Sequence, residues 1–159
     1  MVLDLKLLEL AQLAERRQAM EAAMRQVYDQ WPDAQWVDEV RGIGIVTAVS
    51  ILAHIGPIER FATAEDLISY AGLAPGHRQS DATSHAGRIG GGGTDSHLRY
   101  LRIESMPWVC QVPRYQPAFE RAAAKHGTNI PRIIVARMLL RSILKMLRDR
   151  VRFNQVCVA

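Results

Sequence analysis

The amino-acid sequence predicts an all-α fold in which a helix-hairpin-helix follows a long N-terminal helix. Three observations carry this prediction. Apolar residues recur at three- and four-residue steps over residues 2–30 and again over 131–150. A Gly-Ile-Gly sequence at 42–44 separates two short helical segments. No segment alternates convincingly as a strand does, and only residues 73–79 are a candidate for extended backbone.

Length and composition fit one soluble globular domain with an arm. The chain has 159 residues, of which 48% are hydrophobic and 23% charged. No apolar run reaches the roughly 18 residues that a membrane span requires, and the N-terminus lacks a signal-peptide pattern. A cytoplasmic protein without a membrane partner is therefore expected. Cys110 and Cys157 stand alone, so neither a disulfide framework nor a metal site is predicted.

Charge is distributed unevenly along the chain. Residues 1–40 contain four Lys and Arg against eight Asp and Glu, whereas the remaining residues contain 16 against eight. The excess of positive charge therefore begins with the glycine pair, which favours a polyanion as the partner of the second part. A solvated basic surface without a partner is an equally simple explanation.

Residues 2–30 are predicted to form one helix, because no Gly or Pro interrupts them. Leu3, Leu10 and Met24 fall at multiples of seven residues, and Arg17 breaks the series. The helix therefore either pairs with a second copy as a coiled coil or packs back on the domain. The predicted division of the chain is an arm at 1–32, a domain at 33–150 and a tail at 151–159.

The glycine pair predicts a hairpin that binds phosphate through its backbone. Glycine adopts the positive φ that a tight corner needs, and Ile43 between the two glycines would anchor the hairpin in the core. Open amides at the start of the following helix attract phosphate. Gly42, Gly44 and Ile45 are accordingly predicted to contact DNA. Such contacts position a nucleic acid and read no bases.

Further helices follow from caps and breaks in the sequence. Thr63 and Asp66 form a capping sequence, and the segment 73–93 lacks any period and is expected to be functional or disordered. The last helix has a basic face, from which Arg137 and Arg141 are predicted to contact nucleic acid. The three tryptophans are expected to be packing residues. The predicted helices cover residues 33–40, 45–54, 63–70, 96–112 with a kink or an end at Pro107, 116–126 and 131–150.

Three blocks of the sequence together resemble the C-terminal domain of the insertion-sequence-110 family of transposases, with which the 116 and 902 types belong. The most specific block is Tyr-Ala-Gly-Leu-Ala-Pro at 70–75, followed by Arg-Gln-Ser at 78–80. The other two are the glycine hairpin and a block from Pro117 to Leu140. The resemblance covers Trp36 to Asp149, which is most of the chain.

The resemblance implies a domain whose serine attacks a DNA phosphodiester, with a structured RNA guiding the choice of site. It places that serine at Ser80, with Ser84 as the second candidate, and it assigns DNA contacts to Arg78, Arg88 and Arg99. Residues 1–30 would be the end of a coiled coil through which chains form a homo-oligomer. The RuvC-like nuclease domain of the family, which would hold Mg²⁺, would be missing, so no cofactor is expected in this chain.

The chemistry of phosphodiester attack fits the residues around the proposed serine. It needs a hydroxyl, a base that takes its proton, and cations that stabilise the developing negative charge. His77 or His85 would supply the base, unless acids of the nuclease domain do so. Arg78 and Arg88 would supply the cations.

The sequence departs from the family pattern at several motif positions. Asp81 follows the serine, where the family usually has glycine, and lysines usual in the family are absent at residues 90–93, Thr128 and Met138. These departures favour a truncated or degenerate copy, or a fragment.

Two functions are predicted as alternatives. In the first, the chain binds DNA and supplies the nucleophile within a larger enzyme, without cleaving DNA alone. In the second, it is a non-catalytic module for nucleic-acid binding or dimerisation.

Overall fold

The structure, a computed structural model, describes residues 1–74, 76–78, 85–87, 98 and 105–156, with the backbone alone in 76–78 and 85–87. The described residues are mainly helical, and the all-α class is confirmed. Two turns of 3-10 helix cover Ile58–Arg60 and Phe153–Gln155. The helices are α1 (Val2–Asp29), α2 (Pro32–Asp38), α3 (Ile45–Ile55), α4 (Ala64–Tyr70), α5 (105–109), α6 (Gln116–His126) and α7 (Asn129–Asp149).

The helix boundaries follow the signals in the sequence. At the start of α4, the Thr63 hydroxyl accepts the Asp66 amide at 3.2 Å, and the Asp66 carboxylate accepts the Thr63 amide at 2.7 Å. This capping box satisfies amides that would otherwise lack partners. The hydrogen bonds from Thr63 also lower the pKa of the Asp66 carboxyl. Gly127, with φ of 66°, ends α6 as predicted. The helical residues of α5 continue past Pro107 to residue 109.

Two short strands add to the helices. Strand β1 (Gly76–Arg78) pairs antiparallel with β2 (His85–Gly87), and Gly76 lies opposite Gly87. The first strand falls in the segment that was a candidate for extended backbone, whereas the second was not predicted. A strand of three residues is too short to show the alternation by which a strand is recognised.

The long helix α7 lies at the centre of the fold. It packs against α6, α4, α2 and both 3-10 turns, and ten of its 21 residues are buried. Each fully buried aliphatic side chain contributes about 1.5–3 kcal/mol relative to an exposed one. Helix α7 therefore contributes more buried residues than any other described helix.

One buried hydrogen bond joins α7 to the segment that precedes α6. The Tyr115 side chain is fully buried, and its hydroxyl donates to Oγ of Ser142 at 2.8 Å. The Ser142 hydroxyl donates in turn to the Met138 carbonyl at 3.0 Å. Burial raises the pKa of Tyr115 to about 12, so its phenol remains a neutral donor at physiological pH. Both hydroxyls are thus satisfied inside the core, which avoids the cost of an unpaired polar group.

Helix α1 contributes little to this core. No residue of α1 is buried, and Met24 and Tyr28 near its C-terminal end are partly buried against the body. The predicted pairing of α1 with a second copy stays a prediction. None of the described helices is long and apolar enough to span a bilayer. The exposed leucines of the first half of α1 are Leu3, Leu5, Leu7, Leu8, Leu10 and Leu13.

Candidate nucleic-acid interface

The glycine corner, residues 41–44, joins α2 to α3. Gly42 has φ of 94°, a backbone conformation that residues other than glycine rarely adopt. The Ile43 amide donates to the Val40 carbonyl at 2.9 Å, and both side chains are buried. Ile43 therefore anchors the corner in the core, as the sequence predicted.

The outer side of the corner faces solvent. Arg41, Gly44 and Val46 are exposed, and Ile45 is half-buried. Gly44 precedes the first helical residue of α3, and no side chain caps this helix end. A Cβ added at Gly44 would have none of the described atoms within 4 Å. The α3 amides therefore have no capping side chain among the described residues, and an uncapped first turn at an exposed glycine is the arrangement in which a phosphate binds.

Helix α5 packs against the inner side of the corner. A Cβ added at Gly42 would lie 2.4 Å from Cβ of Trp108 and 3.2 Å from the Ser105 carbonyl oxygen. The Trp108 side chain nevertheless remains 54% exposed. The sequence predicts this tryptophan as a packing residue, and in the structure it packs only in part. Nothing local in the sequence indicates the contact, because Trp108 and Gly42 are far apart in the chain.

The two acidic residues that precede the corner in the sequence, Asp38 and Glu39, have partners within the chain. Asp38 accepts a hydrogen bond from the Tyr28 hydroxyl at 2.9 Å, and Glu39 pairs with Arg152 at 3.1 Å. No described ion pair involves Arg41, which is exposed. Positive charge therefore remains available beside Gly42, where a phosphate would bind.

The basic face of α7 is largely occupied by contacts within the chain. The half-buried Arg137 donates from Nε to the Leu73 carbonyl at 2.7 Å, and Arg141 pairs with Glu65 at 2.6 Å. Arg148 donates to the carbonyls of Phe61 and Ala62. These contacts hold the segment 61–73 against α7. The nucleic-acid contacts predicted for Arg137 and Arg141 stay predictions, and the structure gives both residues a role inside the fold.

The strand pair contains three of the residues that the sequence assigns to the site, His77, Arg78 and His85. Its register sets Arg78 opposite His85, and His77 opposite Ala86. The backbones of the two candidate bases and one candidate cation therefore lie side by side. Ser80, Ser84, Arg88 and Arg99, by contrast, lie outside the described residues.

A family profile described as the IS116/IS110/IS902 transposase family matches residues 34–123, which is more than half of the chain. The chain belongs to this transposase family. The match begins in α2 and ends in α6, so it includes the glycine corner, the strand pair and the Trp108 contact.

Two curated relatives are similar to this chain over most of the chain's length. An uncharacterized 43.6 kDa protein of insertion element IS110 from Streptomyces coelicolor is 28% identical over 136 residues, which are 85% of this chain and 34% of the relative. A pilin gene-inverting protein from Moraxella bovis is 32% identical over 119 residues, 73% of this chain and 36% of the relative. The chain thus spans about a third of the length of either relative.

Substituting Gly42 is expected to destabilise the chain. In Gly42→Ala, the new methyl group meets Trp108 Cβ, which no rotamer change can move, and the residue must also hold a positive φ. We expect a loss of at least about 2 kcal/mol in the free energy of unfolding, measured with urea. Gly44→Ala is the matched control, because it has open space and an ordinary φ, and it should lose less than about 1 kcal/mol. Equal losses would show that the contact with α5 is absent.

Arg137 is expected to contribute to stability through its hydrogen bond. Arg137→Met keeps most of the side-chain volume and leaves the Leu73 carbonyl, in a buried residue, without this donor. The expected cost is about 1.5–3 kcal/mol in urea unfolding, as for other hydrogen bonds to charged groups. Arg132→Met, at an exposed position of the same helix, should change stability by less than about 0.5 kcal/mol. Similar values for the two variants would contradict the structural role.

Proposed function

We propose that this chain is the part of a transposase that binds the DNA backbone at the glycine corner and presents Ser80 to a phosphodiester. The open corner in a member of a transposase family is the observation that carries the proposal. The relatives named for an insertion element and for gene inversion support DNA recombination as the process.

The corner suits phosphate for two physical reasons. Amides of the first turn of α3 carry partial positive charge and have no side-chain cap, so a phosphate oxygen gains hydrogen bonds there and the favourable end of the helix dipole. Arg41 adds a full positive charge beside them. Because these groups recognise only the backbone, binding at the corner would be independent of sequence.

The proposed reaction is a transesterification. The Ser80 hydroxyl oxygen attacks phosphorus and forms a phosphoserine ester, while the bond from phosphorus to a sugar oxygen breaks. The serine proton passes to a base, and the departing sugar oxygen takes up a proton. His77 and His85 are the proposed proton carriers, and Arg78 would stabilise the charge on the phosphoryl oxygens.

The described residues contain no candidate site for a metal ion. They bring together no group of three or more His, Cys, Asp or Glu that could hold a metal ion. No step of the proposed reaction therefore passes through a metal bound by them. Mg²⁺ held by other parts of a larger enzyme, and a guide RNA, stay predictions from the family resemblance.

A non-catalytic binding module is the second candidate function. Two observations favour it: Asp81 places a negative charge next to the proposed nucleophile, and the arginines of α7 already bind within the chain. In this reading the corner binds nucleic acid in the same way, and Ser80 has no role.

The Gly44→Asp variant tests the corner. Aspartate is a favourable N-cap, and its side chain would have open space at this position, so the fold should be at least as stable as the wild type. Its carboxylate would occupy the α3 amides and repel phosphate. We expect about a tenfold rise in Kd for a labelled duplex, measured by fluorescence anisotropy at fixed salt.

A neutral cap at the same position is the control. Gly44→Asn caps α3 without adding charge, and its affinity should fall between those of the wild type and Gly44→Asp. Unchanged affinity in Gly44→Asp, together with intact helicity, would remove the corner from the binding site.

An activated substrate tests the serine. We expect the chain alone not to cleave ordinary duplex DNA. A duplex with a bridging phosphorothiolate should react more readily, because its thiolate leaving group needs no protonation. The expected product is a covalent adduct on the Ser80 peptide, identified by mass spectrometry. It should be lost in Ser80→Ala and kept in Ser84→Ala. An adduct on Ser84, or none at all, would contradict the assignment, and duplex affinity should be unchanged in both variants.

A further inference from the structure

We propose that Trp108 stacks on an unpaired base of the nucleic acid bound at the glycine corner. The inference rests on the proposed function and deepens it, because it adds a contact with a base to contacts that read only the backbone. It starts from the exposure of the side chain. An indole is among the largest apolar groups in a protein, and leaving 54% of it in water forgoes much of the stabilisation that its burial would give.

The position of the Trp108 Cβ, where the side chain begins, is fixed by the backbone. Cβ of Trp108 lies so close to Gly42 that a methyl group there would overlap it at 2.4 Å. Because Cβ is the root of the side chain, rotation about χ1 leaves this contact unchanged. The indole therefore extends from a fixed point directly beside the corner.

The charges around Trp108 indicate which partner covers it. Arg41 is exposed next to Gly42, while Asp38 and Glu39 have partners within the chain. An exposed aromatic ring close to a cationic side chain is typical of sites for single-stranded nucleic acid, where phosphates follow the charge and bases stack on the ring. A base inside a duplex is already stacked on both faces, so an unpaired base is the partner that an exposed indole fits.

Binding to a gapped duplex and to the same duplex fully paired tests the proposal. Trp108→Ala keeps Cβ and therefore the contact with Gly42. We expect it to lower the affinity of the full chain for a duplex with a three-nucleotide gap by about 5- to 150-fold, the range of one base stack. Affinity for the paired duplex should change less than about twofold. Trp108→Phe should retain most of the affinity, and the salt dependence should stay the same because no phosphate contact is lost.

Two controls make the outcome decisive. Ile130→Ala removes another exposed apolar side chain, on α7, and should not discriminate between the two duplexes. Saturation with the gapped duplex should quench tryptophan fluorescence in the wild type and much less in Trp108→Phe, which keeps Trp31 and Trp36. Equal effects of Trp108→Ala on both duplexes, or a change below twofold on the gapped one, would overturn the proposal. If Gly44→Asp loses binding while Trp108→Ala does not, the corner stands and this inference falls; if the wild type binds neither duplex, both fail.

Discussion

The buried face of α7 is the part of the molecule on which the rest is assembled. It supplies the apolar surface for α2, α4 and α6, and its arginines donate to carbonyls of the segment 61–73. A guanidinium that binds backbone carbonyls within a protein loses part of its capacity to bind phosphate. The arginines of this helix could either hold the fold or bind a polyanion. In this structure they hold the fold.

The glycine corner has a different relation to the fold. Its inner side is closed by α5, so that Gly42 tolerates no side chain, while its outer side leaves the first turn of α3 without a cap. The two glycines thus satisfy separate requirements. Gly42 allows close packing and positive φ, and Gly44 leaves backbone amides accessible. Only the second requirement concerns a ligand, although both appear in the sequence as the same residue type.

Local signals in the sequence were sufficient to predict most of the helices, although α5 continues past Pro107, where an end or a kink was expected. The cap at Thr63, the break at Gly127 and the anchoring role of Ile43 depend on neighbouring residues, and all three are confirmed. The contacts that define the candidate site are not local. Arg137 and its carbonyl partner are separated by 64 residues, and Arg141 and Glu65 by 76. A basic residue in a sequence reveals its charge, but its partner depends on how the chain folds.

The exposure of α1 means that the arm and the body respond to different variables. The body is held by its own core, so its folding should be independent of protein concentration. The first half of the arm is held by its own backbone hydrogen bonds and a few exposed ion pairs, and an isolated helix of this kind is only marginally stable in water. Its order would then rise with whatever covers its leucines, so that dilution would unwind the arm and leave the body intact. The body would thus be rigid under all conditions, whereas the order of the arm would depend on what covers it.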